Sequence, residues 1–255
     1  MRADSSLRDR IRNRETLLGC FLTWPTAGAA ELLALAEFDF LVLDAEHGFF
    51  SIESIERMII AAEGAGIPAI VRVPSCDAAE VGRSLDAGAA GILFPRGDGA
   101  STVRSAIERA KFAPEGRRGL GGVRANRYGT LPLDRFVKEA NERTAVVVQI
   151  ETAGALGELA EIAAESDLDV LFVGPNDLTQ ALGVPGQYGD ARYREALEKI
   201  ARQAEASEKT AGIMLGSAKQ IPELRELGYR FFTTSDRALV LESARAWRAS
   251  LSRDG

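Results

Sequence analysis

One histidine, His47, is all the imidazole this 255-residue chain contains, so any imidazole chemistry falls to that position. Cysteine is nearly as scarce. Cys20 and Cys76 lack CxxC spacing, which argues against a zinc site or a disulfide and fits two packing thiols in a reduced compartment. No apolar run approaches the roughly 20 residues a membrane helix needs, and the opening M-R-A-D-S-S-L-R-D-R lacks the apolar segment of a signal peptide. The chain therefore reads as cytoplasmic. A basic excess is also missing: the formal charge of -6 would be repelled by nucleic acid or an anionic membrane, although a local basic patch remains able to bind an anion. No G-x-G-x-x-G follows the first strand-like run, which disfavours a dinucleotide-binding open sheet.

What is present is core-forming material, 46% hydrophobic, enough for one large α/β domain spanning 1–255. After a polar leader (1–16) expected to be a short frayed helix, strand and helix patterns alternate. L-G-C-F-L-T-W (18–24) reads as the first strand, followed by an alanine-rich helix. F-L-V-L-D (40–44) and a helix ending at Gly64 form the second unit, and A-I-V-R-V (69–73) with a helix to Gly88 the third. G-I-L-F-P (91–95) precedes a helix through Ala110. A-V-V-V-Q-I-E (145–151) has the composition of a fully buried parallel strand, with a helix expected over 154–164. D-V-L-F-V-G-P (169–175) with a helix over about 190–207, T-A-G-I-M-L-G (210–216) with a helix to Leu227, and F-F-T-T-S (231–235) with a final helix to Leu251 complete eight units. That order and length predict a (β/α)8 TIM barrel, an α/β single-domain fold, over an open doubly wound sheet.

Barrels of this class carry their chemistry at the C-terminal strand ends, so the polar residues there are the candidates. The second strand ends in Asp44, Glu46 and His47, the third carries Arg72, the fifth ends in Glu151, and the sixth runs into Gly174, Pro175, Asn176 and Asp177. Two carboxylates on neighbouring ends, Glu151 and Asp177, would repel unless compensated, and a divalent ion is the simplest compensation. With oxygen ligands alone the ion is expected to be hard, Mg²⁺ or Mn²⁺. The plainer alternative pairs Glu151 with an arginine and lets Asp177 cap a helix at Leu178. Arg72, between two valines, fits a substrate carboxylate with its fork, or pairs with Glu46 or Asp44. His47 is the candidate general base, held by a carboxylate. The loop G-R-R-G-L-G-G-V-R-A-N-R-Y-G (116–129) is either a flexible surface loop or a lid over the mouth that meets anionic substrate. Thr234 and Ser235 are a weaker candidate for a phosphate cradle.

Taken together, D-A-E-H-G (44–48), V-R-V-P (71–74), P-x-G-x-R-G-x-G (114–121), V-Q-I-E-T (148–152) and V-G-P-N-D-L (173–178) resemble the HpcH/HpaI aldolase family, metal-dependent class II pyruvate aldolases. The resemblance spans nearly the whole chain in order and spacing. It implies that Glu151 and Asp177 ligate the metal and that Arg72 holds the carboxylate or oxo group of the pyruvate unit. His47 paired with Asp44 would be the acid/base element, Glu46 would order metal-bound water, and backbone N–H groups of Gly174–Asp177 would receive the substrate carboxylate. Asp86 matches a position able to reach a neighbouring subunit's site, and the family's hexamers, trimers of dimers, exchange a C-terminal helix, here Leu239–Trp247.

The implied reaction cleaves a 4-hydroxy-2-oxo acid to pyruvate and an aldehyde through a metal-stabilised enolate, with His47 taking the 4-hydroxyl proton. A Schiff-base route is disfavoured because Lys111, Lys138, Lys199 and Lys209 fall on helices or the opposite barrel face, and Lys219 on polar helix surface. Phe49, Phe50 and Met214, near the aldehyde side, favour a less polar aldehyde. Two other readings stay open: a CoA-ester lyase of the citrate lyase β-subunit type, and a non-catalytic oxo-acid-binding barrel.

Overall fold

Eight parallel strands close in sequence order: β1 (Leu17–Leu22), β2 (Phe40–Asp44), β3 (Ala69–Arg72), β4 (Gly91–Phe94), β5 (Ala145–Gln149), β6 (Val170–Val173), β7 (Thr210–Met214) and β8 (Tyr229–Ser235), with β1 pairing β8. The computed structural model describes residues 5–76 and 79–251, so the first four residues of the predicted leader lie outside it. Every residue of β2 to β6 is buried, because strands enclosed by helices outside and side chains inside have no wet face. The two-residue period sorts them. Phe40, Val42, Ile70, Val147, Phe172 and Phe231 fill the barrel, while Leu41, Leu43, Val71, Val146 and Leu171 face the helices. The interior is aromatic: Phe40 stacks on Phe231 at 4.2 Å, and Phe172 meets Phe231 edge-on at 6.2 Å. This plug leaves only the uppermost layer of inward positions to polar residues.

The helices are α1 (Leu7–Arg12), α2 (Ala27–Leu35), α3 (Ile52–Gly64), α4 (Glu80–Ala87), α5 (Ala100–Ala110), α6 (Leu133–Arg143), α7 (Ala153–Gly157), α8 (Leu159–Ala163), α9 (Pro175–Ala181), α10 (Ala191–Ala206), α11 (Ile221–Glu226) and α12 (Asp236–Ala249). Among the described residues no helix is long and apolar enough to cross a membrane. The expected frayed leader is instead a capped helix closing the base of the barrel: Leu7 and Ile11 join the inner core. Arg8 anchors it, its Nε donating to both Asp169 oxygens at 2.9 Å and its Nη1 to the Asn141 carbonyl at 2.6 Å.

Three further differences from expectation have local causes. The helix predicted over 154–164 breaks at Glu158, whose carboxylate turns away to accept the Ala100 N–H at the start of α5. After β6 an extra helix, α9, precedes α10, with Pro175 pre-set for its first turn. The arginine-rich segment 116–129 follows α5, which has already run from mouth to base. It is therefore tied to the base: Arg118 pairs with Asp86, and Arg124 with Glu63 and the Ala87 carbonyl at the ends of α3 and α4. A lid over the chain's own mouth is thereby contradicted. The last helix, α12, leaves the barrel wall, with every residue from Val240 to Leu251 exposed.

Candidate active site

Strand register builds the site before any side chain is considered. Asp44 ends β2 directly beside Arg72 at the end of β3, and both point inward, two residues beyond Val42 and Ile70. The same period places Gln149, two beyond Val147, and then Glu151 on the inner face at the end of β5. Asp44, 1% exposed, accepts from Arg72 Nε at 2.9 Å and from Nη2 at 2.7 Å. Its Oδ1 also receives the Glu46 and His47 backbone N–H groups, an Asx turn that aims the next two side chains at the mouth. Burial works against the Asp44 charge, but Arg72 outweighs it and holds the carboxyl below the usual range. Gly48 closes the turn; a Cβ there would sit 2.3 Å from the Asp44 carbonyl oxygen.

Arg72 Nη1 reaches Glu46 Oε2 at 3.2 Å and donates to Gln149 Oε1 at 3.4 Å, and the guanidinium lies 4.9 Å from the Phe21 ring centroid. Four of its five N–H groups are thus engaged, leaving one on Nη2. The fork is spent on Asp44, the pairing the sequence offered beside a grip on substrate. Likewise His47 is not paired with Asp44: its imidazole is 61% exposed, and the nearest carboxylate is Glu46, 3.9 Å from Nε2.

Glu151 stands apart from the other acids of the mouth. It is 3% exposed, and its oxygens accept only neutral donors, the Arg96 backbone N–H at 2.9 Å and the Gln149 amide. Burial, and then the charges of Asp177 and Glu46, push its carboxyl up to about 7 against the Arg96 bond and the more distant Arg72. Burial raises Glu46 as well, despite Arg72 and His47. Gly174 makes the room: a Cβ there would fall 2.1 Å from Glu151 Oε2 and 2.8 Å from Gln149 Nε2. The acids are therefore crowded and under-compensated, and among the described residues no arginine side chain bonds Glu151, so the plainer alternative for it fails. Asp177 lies in the first turn of α9, which begins at Pro175 and not at Leu178. Among the described residues no three His, Cys, Asp or Glu side chains converge tightly enough to hold an ion unaided. The donor set suits a hard cation whose other positions go to water or a chelating substrate.

Of the other expected residues, Met214 ends β7 at the mouth, packed against the inner core. Asn176 accepts a hydrogen bond from the Tyr188 hydroxyl at 2.5 Å. Asp86 lies in the last turn of α4, at the base, and is not part of its own chain's mouth. The Ser235 hydroxyl is used in capping α12, and Asp236 is taken by Thr23, so no phosphate cradle forms there. Lys111 is fully buried at the base, donating to the Asn141 and Thr144 carbonyls. Gln149 was passed over in the sequence, although its inward parity with Glu151 was there to be read.

The family profile for HpcH/HpaI aldolase/citrate lyase matches residues 17–235, from the first strand to the last. The chain belongs to this family. Among HpcH/HpaI relatives, a hydroxypyruvate/pyruvate aldolase of Paraburkholderia phytofirmans is 35% identical, covering 96% of this chain and 95% of its own. A 4-hydroxy-2-oxovalerate aldolase of Novosphingobium aromaticivorans is 31% identical, covering 98% and 97%. The crystal structure of an HpcH/HpaI aldolase from Desulfitobacterium hafniense superposes with a TM-score of 0.92 at 26% identity, covering 98% of each chain.

Proposed function

We propose that this chain is a carbon–carbon lyase, a class II pyruvate aldolase that cleaves or forms 4-hydroxy-2-oxo acids, yielding pyruvate and an aldehyde. The observation that carries this reading is Glu151, a buried carboxylate that faces other acids and, among the described residues, bonds no cationic side chain. Glu151 and Asp177 would hold the divalent ion, Mg²⁺ or Mn²⁺, with Glu46 ordering the water around it. Bound there, the ion supplies Lewis-acid stabilisation of the charge that builds on the 2-oxo oxygen.

The chain's own groups do the rest. Asp44 fixes Arg72 so that its remaining Nη2 N–H is offered to the 2-oxo oxygen. The backbone N–H groups of Gly174, Asn176 and Asp177 receive the substrate carboxylate; Pro175 has none and serves by pre-setting the turn. His47 removes the 4-hydroxyl proton; the oxygen lone pair closes the aldehyde carbonyl while the C3–C4 bonding pair moves toward the 2-oxo group. Protonation at C3 then gives pyruvate. Met214, Phe49 and Phe50 border the leaving aldehyde and favour one of low polarity.

The assembly reading follows from two surfaces. Val240, Leu241 and Trp247 project from α12 into solvent, Leu251 is exposed just beyond it, and Leu32 and Leu35 stand exposed on α2 of the same barrel wall. Exchange of α12 with a second copy covers such faces, and Asp86, being at the base, can serve only a neighbour's mouth; a homo-oligomer, a hexamer built as a trimer of dimers, accommodates both. Two cysteines without CxxC spacing suit a cytoplasmic setting.

The test is pyruvate release, coupled to lactate dehydrogenase, across a panel of 4-hydroxy-2-oxo acids with and without Mn²⁺. Metal-dependent release is expected. Turnover of CoA thioesters alone would replace this reading with the CoA-ester lyase, and pyruvate binding without exchange of its methyl protons would replace it with a sensor.

A further inference from the structure

The hydrogen-bond network at the mouth singles out a residue to which its motif, V-Q-I-E-T, assigned no role. Gln149 is buried to the same degree as Glu151 and sits between the two halves of the site. Its Oε1 accepts from Arg72 Nη1 at 3.4 Å, and its Nε2 donates to Glu151 Oε2 at 2.5 Å. A guanidinium only donates and a carboxylate only accepts, so just one orientation of the amide satisfies both neighbours. The Arg96 backbone N–H fixes the other Glu151 oxygen, Oε1, at 2.9 Å. Together these two neutral donors hold each carboxylate oxygen at one point and leave its remaining lone pairs free. A basic side chain in the same place would have neutralised the group instead.

We propose that Gln149 is a positioning residue that fixes the Glu151 carboxylate for cation binding and links it to the arginine that faces the substrate. Gly174 is the other half of the device, since any side chain there would strike both Glu151 Oε2 and Gln149 Nε2. The amide therefore has one seat, held from below by β5 and open above only because the residue after β6 is glycine. The inference rests on the proposed cation site at Glu151 and deepens it.

The test measures Mn²⁺ binding directly, from the free-Mn²⁺ electron paramagnetic resonance signal, on metal-stripped protein without substrate. Gln149→Met keeps the volume and removes both hydrogen bonds. It is expected to raise the Mn²⁺ dissociation constant about 10- to 100-fold, as loss of a partner that orients a ligand does elsewhere. The thermal midpoint measured without metal should stay near wild type, which separates positioning from folding. Gly174→Ala, which displaces the same contact from the opposite side, should weaken Mn²⁺ binding in the same direction and supplies the readout if Gln149→Met does not fold. Wild-type Mn²⁺ affinity retained within twofold in either folded variant overturns the proposal while leaving the aldolase reading intact. Failure of the wild-type chain to bind Mn²⁺ at all overturns both.

Discussion

The two ends of this barrel both bury charge, and they do so in opposite ways. At the base, Arg8 and Lys111 face Asp167 and Asp169: Arg8 bonds both acids, and Lys111 bonds two carbonyls with Asp167 3.8 Å away. Burial disfavours the Arg8 charge, but Asp169 and Asp167 outweigh it and hold the guanidinium above its usual value. Lys111 is pushed down to about 7 by burial and by Arg8, yet it is sealed from solvent and from the mouth, so its depressed pKa gives it no access to a carbonyl substrate. At the mouth, Arg72 faces Asp44, Glu46 and Glu151, Asp177 adds its charge beside the two glutamates, and Asp44 has taken the fork. The base is a closed ledger of charges that fastens α1. The mouth keeps an acidic surplus that folding alone does not call for, and such a surplus marks a place prepared for something the chain does not itself contain.

The sharpest way to break this contrast is to remove one charge from each end. Arg8→Ala should cost about 3–5 kcal/mol, because it takes the buried guanidinium from Asp167 and Asp169 and leaves Asp169 only the half-exposed Arg12 and the Val146 N–H, and urea or thermal unfolding should show it. Little loss would mean that the base is not the fastening it appears in its hydrogen bonds. His47→Ala should leave the unfolding midpoint unchanged, since the ring is largely exposed, while kcat falls about 10²- to 10⁴-fold in the coupled assay.

Glu151→Gln is the milder counterpart to Arg8→Ala. Because the carboxyl titrates near 7 in the fold against an ordinary value of 4.5, the metal-free fold holds this proton more tightly than the unfolded chain does. That contribution is present in full below pH 4.5 and is lost as pH rises toward 7, a slope totalling about 3 kcal/mol. The variant should lack it and, above pH 7, be at least as stable as wild type when both are stripped of metal. Smallest is the pH dependence of the ion itself. Below pH 7 the proton on Glu151 competes with a divalent cation, so affinity should fall with acidification by up to about tenfold per unit, measured by titration calorimetry. An affinity flat from pH 8 to 5.5 would place the ion elsewhere.

Much of this was legible in the chain as written. Eight apolar runs, each closed by helix-forming sequence, announced the barrel, and acids at the ends of the second, fifth and sixth runs announced the mouth. What stayed hidden depended on register and direction. That Asp44 lies beside Arg72, and so consumes the fork meant for substrate, follows from the pairing of β2 with β3, which no single strand reveals. The arginine-rich segment read equally as a surface loop or a lid, because arginine and glycine suit both. Its place after α5, where the chain has returned to the base, decides otherwise. The leader looked frayed because Arg8, Arg10 and Arg12 read as solvated, whereas Arg8 is buried by acids 159 and 161 residues away. Gln149 was missed for a simpler reason: amides seldom stand out beside carboxylates, although alternation along β5 puts it on the same face as Glu151.

The central claim is that the acidic surplus at the mouth seats one hard cation. The direct test is a Mn²⁺ binding isotherm at pH 8 on metal-stripped wild type, Glu151→Gln and Asp177→Asn. One ion per chain in the wild type, with binding lost or greatly weakened in both variants, is the predicted result. A wild type that binds no ion, or one whose affinity neither substitution alters, would contradict it.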